Sequence, residues 1–365
     1  MQRRDFLRLT ASLAVTSISS KALAGAGKFR LFSASDNDQG LHRLTLWESA
    51  STQAKHFAIP FRAHDILPFP DKQHVMAFGR RPEMHCVVVN TQNAKSTLVD
   101  AKAGRHFYGH GCFSQDGSTL FTTENFYDKG TGVIGIRDSQ SMTVLGEYQT
   151  HGVGPHDIHL MPDGKTLVVA NGGIATHPDY GRRKLNIDTM QPSLVYIDLS
   201  NGQKLDEFRL KEHKLSIRHL SVNERGDVGV ATQYQGNSHK QPPPCLVAYQ
   251  RHGQPLKEIS IPTTLSHAVR GYMADIAHDP HNEVLIATAP RGNRITLWDT
   301  RQFQFIQHID LPQPSGIQYL ADEKYFVISS ATGGIYRVDL NVTHPEVQLL
   351  YSDRHTAWDN HLVIT

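Results

Sequence analysis

Histidine and aspartate recur side by side along this chain in a pattern that invites metal or acid–base chemistry. The pairs are His64-Asp65 and His156-Asp157, the latter followed by Ile158-His159, and at matching places stand Arg218-His219, His110 between two glycines and Asp275 after Ala274. Imidazole nitrogens and carboxylate oxygens are suitable ligands for Fe, Cu, Ni or Zn, and several carried on separate rigid elements build a site. The HDIH stretch cannot do this alone, because on a strand Asp157 and His159 project opposite to His156 and Ile158. Other chemistries find no footing: the chain shows no GxSxG elbow, no HExxH, no phosphate-cradling Gly loop and no CxxCH haem attachment. Cys86, Cys112 and Cys245 do not fall at metal spacing, and an odd three gives no disulfide framework, so packed thiols are expected.

The elements that must carry these residues form one repeated unit. It comprises a polar or His-bearing start, a short alternating strand, a Pro-Asp-Gly-type turn and a second apolar strand. Its clearest copy is HDIHLMPDGKTLVVAN at 156–171, with others at 64–79, 110–125, 218–233, 274–289 and 315–330. Two further strands follow each copy, as in 193–210 and 293–311. Four short strands at a spacing of about 40 to 55 residues is the signature of a β-propeller. Six units are complete. The C-terminal TAWDNHLVIT reads as the first two strands of a seventh, and KFRLFSASD, HRLTLWES and KHFAIPF near the N-terminus supply its outer strands. The expectation is therefore an all-β, seven-bladed β-propeller over 25–365, its last blade closed by both termini, because closure removes exposed edges. A pair of β-sandwiches is the competing fold, which would not require a shared turn in every unit.

In a propeller the innermost strands line a central channel. Aligning the units on their turns puts His64, His156 and Arg218 at one equivalent position, and Asp65, His110, Asp157, His219 and Asp275 at the next. Residues dozens of positions apart then share one ring, with His64, His110 and His156 as the metal set and Fe or Cu as the cofactor. Two long loops, 171–192 and 233–244, add to that face, the first carrying His177, Asp179, Tyr180, Arg182 and Arg183; loops of this length are more often functional than decorative. Arg80, Arg81, Asn125, Asn171 and Arg291 complete the ligand-binding face, and the arginines suit an anionic ligand or a ferric chelate. The bland alternative is that these His and Asp groups hydrogen-bond neighbouring blades and the arginines are solvated.

Residues 1–24 differ in kind. QRRDFLR, with Arg3 and Arg4 adjacent, matches the twin-arginine export consensus, and Ala22-Leu23-Ala24 reads as a cleavage site. The intervening stretch from Leu9 to Ser20 falls short of the roughly 20 apolar residues a membrane span needs. Loss of 1–24 removes four cations (Arg3, Arg4, Arg8, Lys21) and one anion (Asp5), turning a formal +2 into −1. Such a protein has no electrostatic case for a nucleic-acid partner.

On QRRDFLR and the HDI, GHG and GPHDIHLMPDG segments, the chain resembles the family called domain of unknown function 1513. That resemblance implies a twin-arginine-exported periplasmic propeller with no integral membrane segment. The family's association with imelysin-like iron-regulated proteins implies a role in iron or metal acquisition, with periplasmic iron-uptake proteins as partners. Three functions compete: a propeller binding a metal, chelate or partner, a metal-dependent redox or hydrolytic enzyme with a His-lined channel, and a protein-interaction scaffold. The lack of a catalytic motif favours binding.

Overall fold

The same turn chemistry is repeated around the molecule. In the computed structural model, which describes residues 28–340 and 345–365, aspartate side chains accept hydrogen bonds from the backbone two or three residues on. Asp71 takes Gln73 N at 2.8 Å and His74 N at 3.0 Å, Asp163 takes Lys165 N at 2.8 Å and Thr166 N at 2.9 Å, and Asp279 takes His281 N at 2.9 Å. A left-handed residue completes each turn: Lys72, Gly117, Gly164, Gly226, Glu283 and Lys324 all have φ between 54° and 80°. Aspartate is favoured there because its short side chain stands in for a backbone acceptor.

These turns fold the described residues into seven four-stranded antiparallel sheets. With strands numbered β1 to β28 in chain order, the innermost ones are β4 (Ala63–Pro68), β8 (Arg105–Phe113), β12 (Pro155–Leu160), β16 (Leu215–Val222), β20 (Asp275–Asp279), β24 (Pro314–Leu320) and β28 (Thr356–Ile364). Closure comes from the two termini. β28 pairs with β1 (Arg30–Asn37), setting Leu31 against Ile364 and Ser33 against Leu362, and the sheet continues through β2 (His42–Glu48) and β3 (Ala54–Ala58). The C-terminal segment is thus one strand rather than the two expected. Its middle residues 359–361 bulge out of register instead of turning, since no Gly or Pro there reverses the chain.

The hydrophobic core is divided among the blade interfaces. Phe32, Leu44 and Leu46 of the closing blade meet Ile66, Val75 and Val87 of the next, all at most 4% exposed. Each such side chain contributes about 1.5–3 kcal/mol on burial, so the ring is held by every interface and by no central core. The axis is left free for polar side chains. The three cysteines are free, Cys86 and Cys245 being buried and Cys112 half-buried, as packed thiols would be. Among the described residues no helix is long and apolar enough to cross a membrane. The export segment 1–24 lies outside the described residues.

Candidate functional site

The channel residues are aimed by β-bulges. In β4 the pairing skips from Ala63 to Asp65, in β12 from Pro155 to Asp157 and in β16 from Ile217 to His219, leaving His64, His156 and Arg218 as the extra residues. Wider skips over 108–110 in β8, over Ser315-Gly316 in β24 and over 359–361 in β28 lie at the same level. A bulge suspends the two-fold alternation of a strand, so consecutive side chains can face one axis. Counting back from the equivalent residues Ile66, Gly111, Ile158, Leu220, Ile276, Ile317 and Leu362 gives two tiers. One holds His64, His156, Arg218 and Asn360, with the small Gly109, Ala274 and Ser315 between them. The other holds Asp65, His110, Asp157, His219, Asp275, Gly316 and His361.

Five imidazoles from five blades therefore pack together. The ring of His64 lies 5.0 Å from each of His110, His156 and His361, and His219 lies 4.7 Å from His156 and 4.3 Å from His361, centroid to centroid. All five are at most 6% exposed. His64 Nε2 is 3.2 Å from His156 Nε2. Gly109, at φ +118°, makes room: a Cβ there would sit 2.6 Å from His64 Cδ2.

Carboxylates and one guanidinium orient the rings. Asp65 and Asp157 approach His110 Nδ1 at 3.1 and 3.5 Å, Asp275 approaches His361 Nδ1 at 3.3 Å, and Arg218 donates to His156 Nδ1 at 3.2 Å. Two of these carboxylates also lock blades. Asp157 accepts from Leu220 N of the next blade at 2.9 Å and Asp275 from Ile317 N at 3.0 Å. On His110 and His361 the contact at Nδ1 leaves Nε2 bare, and His64 and His219 each have a bare nitrogen as well. His110 Nε2, His361 Nε2, His64 Nδ1 and His219 Nδ1 are buried without a hydrogen-bond partner among the described residues. An unsatisfied buried polar atom costs about 1–3 kcal/mol, so four in one cluster give the site donors that a ligand could take up.

Burial, then the neighbouring rings and guanidinia, holds His64, His156 and His219 well below the ordinary imidazole range. They are neutral, which a metal ligand must be. His361 goes the other way: burial opposes its charge, but Asp275, Asp65 and Asp157 outweigh it and push the ring up to about 9. Two overlapping groups could hold a metal ion, His64 with His110 and His156, and His64 with His219 and His361, their ligand atoms all within 4.8 Å of one another in each group. His64 belongs to both.

On one side the cluster opens into a cavity of about 290 Å³. His64, His156, His219 and Arg218 reach it from the channel, and Arg80, Arg81 and Arg291 reach it from the blade loops, joined by Arg182 from the 171–192 loop. Asn125 and Asn171 lie elsewhere: Asn125 donates to Thr176 O at 3.2 Å and Asn171 to Thr150 O at 2.9 Å, both buried between loops. Sequence reasoning missed His361, Lys184, Gln233, Tyr272 and Asn360. For His361 the signal was present, since Leu362 is the counterpart of Ile66, Ile158, Leu220, Ile276 and Ile317, each of which follows a second-tier residue on its own innermost strand.

The family described as Protein of unknown function (DUF1513) matches residues 57–365. No curated protein sequence matches the chain. Among solved structures, Kuenenia stuttgartiensis hydrazine synthase is similar at a TM-score of 0.61 and 15% identity, over 87% of this chain and 92% of that one. At that identity the likeness is one of fold.

Proposed function

This chain belongs to the DUF1513 family, and we propose that it is a periplasmic propeller that holds a transition-metal ion on its channel histidines in the service of metal acquisition. The observation that carries the reading is the cluster of five buried imidazoles with four bare ring nitrogens. The 3.2 Å between His64 Nε2 and His156 Nε2 supports it, because two nitrogens bound tetrahedrally at about 2.0–2.1 Å stand roughly 3.3 Å apart. A donor set of imidazoles, with Asp65, Asp157 and Asp275 behind them fixing ring orientation, suits Fe, Cu or Zn. Export is supported by QRRDFLR, and the periplasmic partners would be iron-uptake proteins.

The test is calorimetric titration of metal-stripped protein with Zn²⁺, Cu²⁺ and Fe²⁺ in two buffers of different ionisation enthalpy. One equivalent should bind, and with proton release where His361 is a ligand, because that ring, held protonated by Asp275, must give up a proton to bind a cation. His64→Ala, common to both groups, should abolish binding, with an unchanged melting profile showing that the fold survives. Equal binding by His64→Ala would refute the reading.

A further inference from the structure

The cavity over the histidines has a second chemistry that needs no metal. Six cationic side chains line it: Arg80, Arg81, Arg182, Lys184, Arg218 and Arg291, with no carboxylate among the lining residues. Ion pairing does not account for them. Asp359 approaches Arg80 at 3.9 Å but is held closely by Arg62, at 2.7 Å, and the other five have no carboxylate partner among the described residues. Their hydrogen bonds go instead to neutral groups. Arg81 donates to Tyr108 Oη at 2.6 Å, Arg218 to Gln233 Oε1 at 3.0 Å and Lys184 to Gln235 Oε1.

Like charges gathered in a small cavity repel, and water screens buried ones poorly. Burial, followed by the neighbouring cations, lowers Arg182 and Lys184 from their ordinary values and brings Arg218 down to about 9. A second observation points the same way. Arg218 is only 6% exposed, yet its Nε has no hydrogen-bond partner among the described residues. Guanidinium groups offer planar pairs of donors that match carboxylate and phosphate oxygens. At about 290 Å³ the space is at the lower end for small-molecule sites, about 300–1,000 Å³, which selects a compact ligand.

We propose that this cavity is a binding site for a small oxyanion carrying two or more negative charges, a polycarboxylate or a phosphate, seated between Arg182, Arg291 and Arg218. The site shares Arg218 and part of its lining with the histidine cluster, but its cations need no metal.

The experiment titrates metal-stripped full-length protein separately with citrate, inorganic phosphate and acetate, at low and high salt. Citrate or phosphate should bind with one-site stoichiometry, acetate at least tenfold more weakly, and affinity should fall with salt; which of the two binds tighter identifies the source. The double substitution Arg182→Gln, Arg291→Gln should weaken binding at least tenfold with an unchanged melting temperature. Because the titrated protein is metal-stripped, failure of the metal reading leaves this result intact. No binding of either polyanion, or undiminished binding by the double variant, would overturn the proposal.

Discussion

Gly109 and His64 show how tightly the channel is specified. The residue at 109 combines φ +118° with a 2.6 Å approach of any Cβ to the imidazole, so Gly109→Ala should cost about 1–3 kcal/mol and displace His64. Urea denaturation beside a metal titration checks both effects; a neutral substitution would show that the close approach is not required. Two histidines away from the cluster set a pH dependence. Burial pushes His106 and His278 each down to about 4. In the unfolded chain they take up a proton near pH 6.5, whereas folded they refuse it until about 4, so stability is full above 6.5 and declines as pH falls toward 4. His278→Gln should lessen that decline by up to one proton in the slope of stability against pH; an identical acid profile would contradict the assignment. At this scale the sequence was partly legible. Asp157 and Asp275 were recognisable as channel residues, but their second task, accepting backbone N–H groups of the next blade, depends on a neighbour dozens of residues away.

The element that matters most is β28. It carries His361, closes the ring against β1 and is the one strand that the closing blade takes from the C-terminus. Ending the chain before Thr356 should leave β1 as an exposed inner edge and open two blade interfaces, giving a broad, non-cooperative melt and rapid proteolysis of the N-terminal strands. An unchanged, sharp transition would show that the other six blades suffice. Turns were readable because Asp-Gly chemistry is local. Bulges were not, because Asp359-Asn360-His361 and Tyr108-Gly109-His110 depart from the ladder only in response to the strand beside them. Missing the bulge in β28 is what split that strand in two on paper and hid His361.

At the scale of the whole molecule, seven-fold repetition does two things at once. It distributes apolar packing to the blade interfaces, and it gathers onto one axis polar groups that a smaller core could not tolerate. The repeat period exposed the fold and, through it, His64, His110, His156 and His219 as neighbours. The cationic rim was less legible, since Arg182 and Lys184 sit in a loop whose path over the channel no local pattern dictates. The central claim, a metal ion held by channel imidazoles, is tested most directly by X-ray absorption at the metal edge of the loaded protein. The expected spectrum has a first shell of nitrogen at about 2.0–2.1 Å with the outer-shell scattering of at least three imidazoles, lost in His64→Ala. A first shell of oxygen alone, or an imidazole signal that survives His64→Ala, would contradict it.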